Sequence, residues 1–121
     1  MRAVYKAPGL PAIVIDVKNN LKTLQVLVGG DIQAVHEQLD TRYGRIEYVV
    51  IVNEDGRWLN MPENIESAFG PAYVGPVLAV GEKGEDFAGL TPDEARSISA
   101  NFDARAVISA REMEEAAWDA D

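Results

Sequence analysis

Hydrophobic positions along the chain fall into short runs of two different periods. Arg2–Lys6 and Ala12–Val17 (AIVIDV) read as strands, and the Pro8-Gly-Leu-Pro11 turn between them suits a hairpin. Asn20 then stands as a helix N-cap. Leu21, Leu24, Leu27 and Val28 follow at helical spacing, and Gly29-Gly30 closes the helix where a left-handed residue is favoured. At about two turns such a helix cannot hold itself, so its leucines must pin it to a sheet. Gly29-Gly30-Asp31 follows a helix instead of opening one, so it reads as a cap and not as a phosphate loop.

Ile32–His36 alternates as a strand, and Gln38–Gly44 is polar and loop-like. Ile46–Asn53 (IEYVVIVN) is apolar at nearly every position, which predicts a central strand covered on both faces. Glu54-Asp55-Gly56 is a turn in which the glycine is expected to supply a positive φ, and Arg57–Asn60 is expected to return as a short strand. Met61–Ala72 is irregular. Val74–Val80 is the last strand, and Pro76, lacking an N–H, places it at a strand start or a sheet edge. Thr91-Pro92-Asp93-Glu94 is a capping box that starts a helix running to about Phe102. Asp103 is expected to cap a second helix, Ala104–Trp118, with a small apolar stripe of Ala106, Val107, Ala110, Met113 and Ala117. The fold class is therefore α+β: a mostly antiparallel sheet with one short packed helix and a helical C-terminal segment. Residues 1–102 form the core domain, and 103–121 an acidic helix that is part of it or makes an oligomer contact.

Composition narrows the chemistry. The 121 residues fit one domain, and the absence of cysteine removes disulfides, thiolate zinc sites and thiolate catalysis. One histidine, His36, cannot build a His-rich metal site, and no serine precedes it as a triad partner. The longest purely apolar run, Tyr48–Val52, is too short to cross a bilayer, and MRAVYKAPG lacks a signal-peptide core, so a cytoplasmic protein with no membrane partner is expected. The net charge of −9 is uneven: zero over residues 1–40, −2 over 41–81 and −7 over 82–121. Such a field repels nucleic acid, so no direct nucleic-acid partner is expected. A small anion remains acceptable in a local pocket of the neutral part.

The stretch Ile51–Asn64, IVNEDGRWLNMPEN, holds the densest candidate chemistry. Its Asn53 and Asp55 do not make a calcium loop, because Ile51 interrupts the donors and Pro62 stands where a bidentate Glu is needed. Turn chemistry accounts for Glu54–Gly56 but not for Arg57, Trp58, Asn60 or Asn64. An arginine beside an aromatic ring can pair a phosphate and stack a base, while asparagines read base edges. Arg42-Tyr43-Gly44-Arg45 is a second such group. The candidate ligand site is thus Arg42, Tyr43, Arg45, Arg57, Trp58, Asn60 and Asn64. Its difficulty is distance: Arg45 and Arg57 bracket a strand that spans roughly 26 Å. No spacing singles out a catalytic pair, so no catalytic residue, metal or cofactor is assigned.

Four phrases in series carry a family resemblance. They are Leu24-Gln-Val-Leu-Val-Gly-Gly-Asp-Ile-Gln-Ala-Val35, the Ile51–Asn64 stretch, Val74-Gly-Pro-Val-Leu-Ala-Val-Gly81 and Asp86-Phe-Ala-Gly-Leu-Thr-Pro-Asp-Glu-Ala95. In order and spacing they resemble the domain-of-unknown-function family three-eight-four-six, over roughly residues 1–97. The resemblance implies a small cytoplasmic protein of a bacteriophage or conjugative element, and brings no catalytic residues. In that setting the expectation is a non-enzymatic counter-defence protein that sequesters a small phosphorylated ligand, such as a host immune signalling nucleotide. An acidic DNA mimic or direct inhibitor of a host defence protein is the alternative, and a regulatory or structural adaptor a third. A homo-oligomer joined through the C-terminal helices is expected.

Overall fold

The computed structural model describes residues 1–107. Ten elements follow in order: β1 (Arg2–Lys6), β2 (Ile13–Asp16), α1 (Leu21–Val28), β3 (Ile32–Thr41), β4 (Gly44–Asn53), β5 (Glu63–Ile65), β6 (Tyr73–Val74), β7 (Val77–Lys83), β8 (Asp86–Ala88) and α2 (Pro92–Ala104). The main sheet has the order β2-β1-β7-β4-β3, with β8 also pairing β7, and every pairing is antiparallel. Strands β5 and β6 make a separate two-stranded sheet. The α+β architecture expected from the hydrophobic pattern is the one observed.

One helix lies on each face of the sheet. Leu24 and Val28 of α1 pack with Val49, Ile51, Leu78 and Val80. Ala95, Ile98 and Phe102 of α2 pack on the other face with Val4, Val50 and Ala79. The continuous apolar run of β4 follows directly: its even positions serve one core and its odd positions the other. Val50 and Ile51 are both fully buried, each worth about 1.5–3 kcal/mol. The caps hold as read: Asn20 accepts from the Thr23 N–H, Gly29 is left-handed at φ 82°, and Thr91 and Glu94 complete the capping box.

Several expectations fail for physical reasons. The segment Gln38–Gly44 is not a loop. Strand β3 continues to Thr41 and pairs with β4 without a slip from Ile32↔Asn53 to Thr41↔Gly44, leaving only Arg42 and Tyr43 in the turn. Polar residues suit this strand because it is an edge. Of the two placements read for Pro76, the strand start is the one observed, just before the first residue of β7, and that strand is central, between β1 and β4, instead of an edge. Arg57–Asn60 is a turn and not a strand, β5 and β8 arise where no strand was read, and the strand read over Val74–Val80 is split at Gly75-Pro76, its first residue falling in β6 and the rest in β7. Gly56 does not supply a positive φ; Asn60 does, at 55°. Asp103 caps no second helix. It lies inside α2, and its carboxylate accepts the Ala12 N–H at 2.8 Å. Beyond α2 the chain turns extended, and Ala106 bridges Ile65 beside β5. The remainder of the expected C-terminal helix, with Ala110, Met113 and Ala117, lies outside the described residues.

Candidate functional site

Three polar side chains of Ile51–Asn64, those of Asn53, Arg57 and Asn64, are tied to other parts of the chain. Asn53, at the end of β4, is buried. Its Nδ2 donates to the Val28 carbonyl of α1 at 3.2 Å, and its Oδ1 accepts the Asp55 N–H at 2.8 Å. Leu59, Asn60 and Met61 donate their N–H groups back to Asp55, Arg57 and Gly56, which winds residues 54–61 into a compact turn. Gly56 is required for close approach, since a Cβ there would lie 2.8 Å from Val74 Cγ2. Gly75, at φ 73°, leaves room for the Met61 sulfur, which a Cβ would meet at 2.5 Å. Arg57 Nη2 donates to the Ala72 carbonyl at 2.8 Å, so the turn clamps the loop before β6.

Asn64 cannot read a ligand. It is fully buried; its Oδ1 accepts from Lys6 Nζ at 2.8 Å, and its Nδ2 donates to the carbonyls of Lys6 and Gly75. This corrects its assignment as a base-reading residue. The hydrogen-bonding groups that suggested recognition are used to join β1, β5 and the β6–β7 turn.

The other six candidates form two groups. Arg57, Trp58 and Asn60 share the 54–61 turn and are exposed. Arg42, Tyr43 and Arg45 sit at the β3–β4 hairpin tip, where Tyr43 is 93% exposed and Arg45 Nε donates to Asp40 Oδ1 at 2.8 Å. Strand β4 separates the two groups, so one chain does not bring them into one pocket. None of the seven lines either of the two cavities described here, of about 940 and 490 Å³.

The turn instead presents apolar surface. Trp58 is 87% exposed and Leu59 55%, and Phe69, on the loop that Arg57 clamps, is wholly exposed. Glu54, Asp55 and Glu66 are exposed carboxylates on the same turn and loop.

The larger cavity holds a polar cluster that sequence reasoning missed. Glu37 projects from β3 and accepts at both oxygens. Tyr48 OH and Arg105 Nη1 donate to Oε1 at 2.8 and 2.9 Å; Tyr73 OH and Arg105 Nη2 donate to Oε2 at 2.6 and 3.0 Å. Arg105 also donates to Asn101 Oδ1 and the Glu66 carbonyl, and lies 5.7 Å from the Phe102 ring centre. Burial pushes the Glu37 carboxyl up, but the hydrogen bonds from Arg105, Tyr73 and Tyr48 outweigh it and hold it below the usual glutamate value. Burial, and then the Glu37 acceptor, push both phenols up. Each partner satisfies the others, so the cluster is a clasp joining β3, β4, β6 and the end of α2. Its signal was available: Val35, Glu37 and Leu39 share one face, an acid between two apolar residues at strand period. Reading Gln38–Gly44 as a loop hid it.

Residues 1–103 match the family described as Domain of unknown function (DUF3846). The chain belongs to that family. No curated protein and no solved structure matches it. The DUF3846 match ends within α2, so the fastened turn, the clamped loop and the sheet all lie inside it, whereas Arg105 of the clasp lies just beyond.

Proposed function

We propose that this chain is a non-enzymatic binding protein that docks on a partner protein through the loop end around Trp58. The observation that carries the reading is the exposure of Trp58 on a turn whose backbone is fastened through Asn53 and Arg57. A tryptophan in solvent stabilises nothing in the monomer. In an interface such a ring removes about 150–250 Å² from water, and aromatic anchors of this kind are typical hot spots. The carboxylates of Glu54, Asp55 and Glu66 form an acidic rim. Together with a net charge of −9, they suit a partner whose apolar recess is rimmed by Lys and Arg. Proteins that handle nucleic acid or nucleotides carry such rims, and the phage or mobile-element setting that the family resemblance implies would make a host defence enzyme the target. The chain then acts as a direct inhibitor or adaptor in that host's cytoplasm.

Capture from a lysate of the native host, with the partner quantified by mass spectrometry, tests this. Trp58→Ser is expected to abolish retention of a partner that wild type and Tyr43→Ser both hold. Equal retention by wild type and Trp58→Ser removes the reading. A second reading, capture of a phosphorylated ligand, keeps one specific support: Arg57, Trp58 and Asn60 share one turn. A rise in melting temperature with cyclic or linear nucleotides, lost in Arg57→Ala, would favour it.

A further inference from the structure

Among the described residues the outer edge of β3 is unpaired, and the inference drawn from it rests on the protein-binding reading and deepens it. We propose that β3 receives an extended segment of the partner as an added strand, and that apolar and basic side chains alternate along that segment.

Register fixes which backbone groups are on offer. The two-residue turn makes Thr41 and Gly44 a hydrogen-bonded pair, and such pairs alternate along an antiparallel ladder. At the far end Glu54 donates its N–H to the Asp31 carbonyl at 2.8 Å, which has the same parity. Val35, Glu37 and Leu39 therefore turn their backbone groups to β4. Ala34, His36, Gln38 and Asp40 turn theirs outward. Among the described residues β3 pairs with β4 alone. An edge of this kind is a template for a further strand.

The larger cavity runs along that edge. Its lining takes every residue from Val35 to Asp40 in turn, so it follows the strand and borders both faces. On the α2 side it meets Val35, Leu39, Tyr73 and the exposed Phe69, and the one carboxylate there among the described residues, Glu37, is neutralised by Arg105. On the other side it meets Asp40, Glu47 and Glu82, with Arg45 on Asp40 and His36 on Glu82 as nearby bases. An added strand points alternate side chains to these two sides. Main-chain hydrogen bonds would supply affinity, and the apolar and acidic sides would select the sequence. Phe69 joins this groove to the loop end that presents Trp58.

Amide exchange of the full-length chain, followed by NMR, reads the proposal directly. The probes are synthetic peptides of about nine residues: alternating Val/Lys, a block-ordered peptide of the same composition, and alternating Val/Glu. The Val/Lys peptide is expected to slow exchange at Ala34, His36, Gln38 and Asp40 and to leave Val35, Glu37 and Leu39 unchanged. The other two peptides are expected to bind at least about tenfold more weakly. Gln38→Pro removes one outward N–H while sparing the β4 ladder, and Glu47→Lys reverses one charge; each is expected to weaken binding of the Val/Lys peptide. No slowing at the four outward amides, or equal affinity for the block-ordered peptide, overturns strand addition. If that happens while Trp58→Ser still abolishes partner capture, the docking reading stands without it. Slowing at the four amides with capture indifferent to Trp58 overturns the Trp58 surface and keeps the strand.

Discussion

At one end of β4, Arg42 and Tyr43 form a two-residue hairpin turn, with Arg45 just inside the strand; at the other, Arg57, Trp58 and Asn60 occupy a turn tied to α1, β6 and the loop that follows β5. Both ends set arginine beside an aromatic ring, and both rings are exposed, Tyr43 by 93% and Trp58 by 87%. The difference is what stands behind the ring. Thr41 Oγ1 accepts the Tyr43 N–H and donates to the Gly44 carbonyl, so the tip is fastened only to itself. The 54–61 turn is held through Asn53 against the end of α1, and through Gly56, Arg57 and Met61 against residues 72–75. A ring on fixed backbone loses little freedom on binding, whereas one on a free tip must be ordered at that moment. Similar residue types thus stand on differently fastened backbone, and the proposed docking role of Trp58 turns on that difference.

Substitutions should separate the two ends in a graded series. Asn64→Ala, beneath the fastened end, removes three buried hydrogen bonds, one of them to an ammonium; a loss of about 3 kcal/mol is expected in urea unfolding. Gly56→Ala forces a methyl toward Val74 and is expected to cost about 2 kcal/mol. Arg57→Ala releases the clamped loop, with an expected loss of about 1 kcal/mol and faster amide exchange at Ala72. Tyr43→Ala at the free tip is expected to stay within about 0.5 kcal/mol of wild type. A large loss there would mean that the tip is structural too.

The clasp on β3 adds a pH dependence independent of both ends. Because Glu37 titrates below its ordinary value in the fold, its contribution is fully present above the unfolded pKa of about 4.3 and is lost as pH falls through the lower folded value. Urea midpoints measured from neutral to acid pH should therefore decline less steeply in Glu37→Gln than in wild type. An unchanged slope would show that the clasp is not coupled to folding.

Much of the scaffold was legible in the sequence. The apolar run of Ile46–Asn53, the caps at Asn20, Gly29 and Thr91, and the Pro8–Pro11 turn each act through neighbouring residues, and each appears where the pattern placed it. Contacts distant in sequence were not legible. Nothing local marks Asn64 as the partner of Lys6, or Arg105 as the partner of Glu37, 68 residues away. Strand β3 was cut short because an edge strand tolerates the polar residues that otherwise signal a loop. The candidate site was half legible: Arg57, Trp58 and Asn60 share a surface, Arg42, Tyr43 and Arg45 lie elsewhere, and Asn64 is interior.

Oxidative footprinting of Trp58 and Tyr43 in the free chain and in its captured complex tests the central claim most directly. Protection of Trp58 with Tyr43 unchanged is the expected result. Protection of Tyr43 with Trp58 as reactive as in the free chain would contradict it.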